Sequence, residues 1–172
     1  YTGNGSTAVT VSTGFPPDLI WIKARDHAHS HFLSDTSRGG SPNFGFISTN
    51  NTSASTIDDT AGVQSVASGG FNVRDYNVAQ SNAQGFSGQN GSYVAFSWKV
   101  NGGTTATNTD GNIDSTVQVN TDLGTSIVQF TNSSASGSTR IGHGLGGTPN
   151  MILLKRTDGV EDWYMYHDGM RD

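Results

Sequence analysis

Three histidines, His27, His29 and His31, alternate with Ala28 and Ser30. In an extended strand that spacing sets all three imidazoles on one face, and neutral imidazole suits zinc, copper, nickel or iron. No carboxylate or cysteine completes a site within the segment, so a polar loop with exposed histidines is the competing reading, and the favoured one. Asn108-Thr109-Asp110-Gly111-Asn112-Ile113-Asp114 offers side-chain oxygens around a glycine turn. It lacks the early acidic positions of a calcium loop, and calcium takes about 6–8 oxygens, so an Asx-capped turn is expected instead. Tyr76 and Trp163 could stack on sugar rings if exposed, whereas the apolar neighbours of Trp21 and Trp98 point those two towards core packing.

Catalytic chemistry finds little footing. Serines are many, but none sits in a Gly-x-Ser-x-Gly elbow. The Gly142–Gly147 stretch lacks the Lys-Ser/Thr of a phosphate loop. Glycoside hydrolysis needs two carboxyl groups flanking one bond; Asp35, Asp58, Asp59 and Asp75 are available, yet no spacing pairs them. The residues therefore predict no catalytic site, no cofactor and no firm metal site.

The elements that would position these residues are strands. Gly, Ser, Thr and Asn together supply 78 of the 172 residues, and Glu161 is the one glutamate. Such a composition starves long helices and favours short strands between frequent turns. Alternation marks strands at 7–13, 31–34, 44–49, 63–66, 70–74, 113–119 and 126–131. Asp18–Ala24 is denser and reads as a central buried strand, and Ser92–Val100 is the clearest strand of all. The expected fold class is all-β: an antiparallel β-sandwich of jelly-roll type. Within it Trp21, Phe96 and Trp98 are expected to face the core or line a cleft.

A broken repeat overlies this pattern. Tyr1-Thr2-Gly3-Asn4 returns as Phe130-Thr131-Asn132-Ser133, and Pro17-Asp18-Leu19-Ile20-Trp21-Ile22-Lys23 as Pro149-Asn150-Met151-Ile152-Leu153-Leu154-Lys155. Leu33–Arg38 aligns with Tyr166–Arg171, which equates Asp35 with Asp168 and Arg38 with Arg171. Repetition of a large unit speaks of architecture before chemistry. The predicted organisation is a β-sandwich module over 1–100 that starts in mid-strand, a linker or loop over 101–112, and an incomplete second module over 113–172.

Several strings together resemble a known family: Tyr1-Thr2-Gly3-Asn4-Gly5-Ser6, Phe15-x-Pro17-Asp18-Leu19-Ile20-Trp21-Ile22-Lys23, Asp35-x-x-Arg38-Gly39, Gly70-Phe71, Tyr93-Val94-Ala95-Phe96-x-Trp98-Lys99 and Ile141-Gly142-His143-Gly144-Leu145. They are similar to a domain of undefined function found in tandem in structural, tail-fibre-like proteins of marine and cyanobacterial tailed phages. The resemblance spans nearly the whole chain. It departs from the family pattern at Ser97, where cysteine is common, and in the histidine stretch after Asp26. It implies a concanavalin- or laminin-G-like sandwich displayed on a virion, and it carries over no catalytic residue.

Charge narrows the partners. A net charge of −5 without a basic block disfavours nucleic acid and anionic membrane surfaces, and no apolar run approaches a membrane-spanning length. The expected function is a non-enzymatic virion component, a tail fibre or other appendage module for assembly and host-surface attachment. Its expected partners are other copies of itself as a homotrimer, other virion proteins and a host surface glycan. An extracellular lectin-like carbohydrate-binding domain is the alternative, and a polysaccharide depolymerase the third.

Overall fold

A computed structural model describes residues 1–5, 8–39, 44–57, 61–74, 86–87, 91–132 and 137–170. Asp58, Asp59, Asp75, Tyr76 and Arg171, which figure in the sequence reading, lie outside the described residues. The fold is all-β. Twelve strands are described, in order β1 (Val9–Ser12), β2 (Leu19–Ala24), β3 (Phe32–Asp35), β4 (Ile47–Ser48), β5 (Gly62–Ala67), β6 (Gly70–Arg74), β7 (Tyr93–Trp98), β8 (Ala106–Asn108), β9 (Ser115–Asn120), β10 (Thr125–Phe130), β11 (Met151–Lys155) and β12 (Trp163–His167). A single 3₁₀ turn, Asp168–Met170, follows. Every pairing between these strands is antiparallel.

Strands β4-β3-β2-β7 form a four-stranded sheet and β1-β6-β5 a three-stranded one. One hydrophobic cluster takes residues from both: Ile20, Ile22, Ala24 and Tyr93 from the first, Val11, Val63, Phe71 and Val73 from the second. Period-two alternation explains the choice, since Ile20, Ile22 and Ala24 point inward while Trp21 points out. In β5 a register shift between Val63 and Ser65 inserts one residue. That bulge lets Val63 and Val66, three apart, both pack on the cluster. Phe32, Phe46 and Phe86 close one end, with ring centroids 4.6–5.2 Å apart. At Gly70 β1 passes close to β6: a Cβ there would lie 2.0 Å from the Val11 carbonyl oxygen.

The stretch read as a linker or loop, 101–112, consists of turns around one short strand. Asn101–Gly103 is a turn held by two buried side chains. Asp18, 2% exposed, accepts the N–H groups of Val100 (2.6 Å) and Gly102 (3.0 Å). Gln118, on β9 and fully buried, accepts the Gly103 N–H at 2.7 Å and donates to the Thr36 and Ser37 hydroxyls. Ala106–Asn108 then enters the sheet β10-β9-β8. Asn120 donates to the Val100 carbonyl and Gln129 to that of Ser37, so side-chain amides tie this third sheet to the turns beside the first sheet.

The hairpin β11–β12 repeats β2–β3 in detail. The pairs Leu19↔Asp35, Ile20↔Ser34, Trp21↔Leu33 and Ile22↔Phe32 have counterparts in Met151↔His167, Ile152↔Tyr166, Leu153↔Met165 and Leu154↔Tyr164, each residue 132 positions later. The bond closing each hairpin is matched too: the Thr36 N–H donates to the Asp18 carbonyl and the Asp168 N–H to that of Asn150, both at 2.9 Å. Lys23 donates to the Ala24 and His27 carbonyls, and Lys155 to those of Arg156 and Glu161. This register puts His167, not Asp168, at the station of Asp35. Asp35 accepts the Ser37 N–H and His167 Nδ1 accepts the Gly169 N–H, so an imidazole does the capping that a carboxylate does in the first hairpin. The likeness stops upstream. β1 is a full strand against β6, whereas Ile141 makes only an isolated parallel bridge to Ile113.

Candidate binding surface

Trp21, Phe96 and Trp98 are not in the core, which removes the first of the two positions expected for them. They stand on the outer face of β2 and β7 with 37%, 53% and 41% of their surface exposed. Register explains the row. Trp21 lies directly opposite Phe96, and Leu19 opposite Trp98, all on the face away from Ile20 and Ile22. Ring centroids are 6.1 Å apart for Trp21 and Phe96, and 6.5 Å for Phe96 and Trp98. The Trp21 indole N–H donates to the Thr49 hydroxyl at 3.1 Å, which fixes that ring. Lys99, which follows Trp98, turns away from the row: its ammonium donates to the Pro16 carbonyl and lies 3.8 Å from the buried Asp18. Three aromatic rings on one sheet face, with the Thr49 hydroxyl beside them, present flat apolar area of the kind on which planar groups can stack.

Of the two aromatic residues singled out in the sequence for stacking, Trp163 is half-buried, and its indole N–H donates to the Ser48 carbonyl at 2.9 Å, pinning the β11–β12 hairpin to β4. Tyr76 is outside the described residues. The usable signal for the exposed row was alternation: Ile20, Ile22 and Ala24 already fill the inner face. β2 is central and buried on its inner face, as read; the error was to assign Trp21 to core packing, because its alternation with Ile20 and Ile22 puts it on the outer face.

The histidines sit in the loop between β2 and β3, so the strand geometry that would align them is absent. The rings of His27 and His29 stack with centroids 5.8 Å apart, and His27 Nδ1 contacts Asp26 at 2.8 Å. Burial, then the nearby His27 and Lys23, hold the His29 imidazole below its ordinary pKa, while the hydrogen bonds from His27 and the Ser92 N–H hold the Asp26 carboxyl below its own. His31 is engaged through its backbone, whose N–H donates to Asn50. Among the described residues no three His, Cys, Asp or Glu side chains come together to hold a metal ion. In the calcium-like stretch the oxygens serve the backbone: Asn108 Oδ1 accepts the Asp110 N–H and Asn112 Oδ1 that of Arg140. Asp35 forms an ion pair with Arg38 while capping the Ser37 and Arg38 N–H groups.

The family described as a domain of unknown function, DUF7483, matches the chain over residues 1–172, and the chain belongs to it. No curated protein and no solved structure matches the chain.

Proposed function

We propose that this member of the DUF7483 family is a non-enzymatic structural module of a tailed-phage virion, carried on a tail fibre or another appendage. In this reading Tyr1–Val100 is a concanavalin-like sandwich of jelly-roll type, and the β11–β12 hairpin belongs to a second tandem copy. The module assembles with other copies of itself, as a homotrimer, and with other virion proteins. It attaches the particle to a host surface glycan, each weak contact multiplied by the copies on the appendage. The phage setting rests on the family resemblance of the sequence. The binding role rests on one observation, the exposed row Trp21–Phe96–Trp98 on a rigid sheet. The same row supports the alternative of an extracellular lectin-like domain.

A polysaccharide depolymerase is disfavoured by how the buried carboxylates are spent. It would need two of them facing one groove, and Asp18 and Asp35 are each consumed by backbone N–H groups. The test is tryptophan fluorescence during titration with capsular polysaccharide or lipopolysaccharide from the bacterial host. Saturable quenching is expected, with affinity falling about fivefold or more on Trp21→Ala or Phe96→Ala, as for truncation of an aromatic contact residue costing about 1 kcal/mol or more. Mass spectrometry and antibody labelling of intact particles separate the virion reading from the lectin reading.

A further inference from the structure

We infer that the β11–β12 hairpin positions the Trp21 ring of the aromatic row, acting through the edge strand β4. Two indoles converge on adjacent residues there. Trp163 of β12 donates its N–H to the Ser48 carbonyl at 2.9 Å, and Trp21 of β2 donates its own to the Thr49 hydroxyl at 3.1 Å. In the sheet order β4-β3-β2-β7, the Trp21 ring reaches across β3 to find that hydroxyl. The orientation of an exposed ring is thus set at the far margin of its sheet. The inference rests on the reading of Trp21–Phe96–Trp98 as a binding surface and adds what controls its geometry.

The sheet itself holds this anchor weakly. β4 is two residues long and, among the described strands, pairs with β3 alone, as Phe32↔Ser48 and Leu33↔Ile47. Just beyond it the Thr49 N–H donates to the His31 carbonyl, and the His31 N–H to the Asn50 side chain. A ladder so short at a sheet edge opens at low cost. The hairpin supplies further restraints. Besides Trp163 on Ser48, the Glu161 N–H and the Lys155 ammonium donate to the Thr52 carbonyl, and the Ser55 N–H donates to the Thr157 carbonyl. The segment from Ser48 to Ser55 is therefore clasped along its length. Releasing the clasp frees the Thr49 hydroxyl to move and the Trp21 ring to visit other rotamers. Each stacking event then carries the added cost of ordering that ring. By linkage, a ligand stacked on Trp21 also strengthens the docking of the hairpin. In the tandem reading, the second copy tunes the binding row of the first.

Nuclear magnetic resonance of the indole N–H groups tests this. The chain has three tryptophans, and Trp21→Phe, Trp98→Phe and Trp163→Phe assign their resonances one by one. Trp163→Phe keeps an aromatic ring and deletes the donor. It should shift the Trp21 resonance and speed exchange of that proton with water. The Trp98 resonance, on β7 at the other side of the sheet, should stay in place. Thr49→Val should move the Trp21 resonance in the same sense, and Thr49→Ser should leave it as in the parent. Affinity for host capsular polysaccharide should fall about two- to fivefold in Trp163→Phe, although Trp163 is outside the row. A Trp21 resonance that is unmoved in Trp163→Phe, or that moves only together with that of Trp98, would overturn the inference. So would unchanged affinity in a Trp163→Phe chain whose Trp21 resonance has shifted. A parent that binds no polysaccharide would end the binding role instead, while the resonances still decide whether the hairpin positions the ring.

Discussion

Ser34 and Ser97 flank Ile20 on its two sides, and each buries a hydroxyl that meets no hydrogen-bond partner among the described residues. An unpaired buried hydroxyl costs about 1–3 kcal/mol in desolvation. Ser97→Ala and Ser34→Ala should therefore leave the fold intact and raise stability by about 1 kcal/mol each, read as a higher urea midpoint at unchanged slope. A loss of stability in both would mean that those hydroxyls have partners. His29 makes the opposite kind of statement. Its imidazole is held below the ordinary value of 6.5 by burial first, then by His27 and Lys23. The folded state binds that proton less readily than the unfolded state does. Its contribution is therefore complete above the unfolded value and is lost as pH falls through the depressed folded one. Unfolding at pH 7.5 and at pH 5 should show lower stability at the acid end, and His29→Gln should flatten part of that slope.

Elements differ in how much of their geometry local residues dictate. The β5–β6 hairpin follows from the turn at Ser68–Gly69 and the apolar residues on either side, and it forms where the alternation predicts. β6 is also the centre of its sheet, with β1 on its other side, and Gly70 is there because β1 crosses so close. Gly70→Ala should drive β1 away from β6. Because the obstructing atom is a backbone oxygen rather than a movable side chain, the cost should reach several kcal/mol, about that of a severe core change. Faster amide exchange of Val11 and Ser12, with β2 and β7 still protected, would be the local signature. Alanine at Gly69, where a Cβ meets nothing within 4 Å, is the control.

At the level of the molecule, two regions are joined by amides. Gln118 connects β9 to the Asn101–Gly103 turn and to the Thr36–Ser37 turn, and Asp18 grips the same two turns from the first sheet. Gln118→Ala leaves the half-buried Gly103 N–H without its acceptor and removes the donors to two hydroxyls, an expected loss of about 1–3 kcal/mol. If the β8–β10 sheet depends on that link, the denaturant slope should also fall as its unfolding separates from that of the core. A single transition with an unchanged slope would show that the remaining Asn120 and Gln129 bonds suffice. Beyond the link, apolar surface is distributed unevenly. The first unit has a closed core and an open aromatic row, while the β11–β12 hairpin exposes Ile152, Leu153, Leu154, Tyr164 and Met165.

Alternation and turn residues by themselves determined the all-β class, the position of most strands, and the likeness of Pro17–Lys23 to Pro149–Lys155, because strand formation and turn chemistry are local preferences of the chain. Burial is not local. The four-residue run Leu19–Ile22 looks the same whether one sheet covers it or two, so only the packed layers decided that Trp21 faces outward while Ile20 does not. The run 101–112, polar and glycine-rich, read as a linker or loop, and its anchorage was not legible because Asp18 stands 84 residues before Gly102 and the burial of Gln118 is set by packing. Likewise Ile20 and Ile152 occupy equivalent stations with opposite exposure, since what covers a strand is set by the neighbours that topology brings to it.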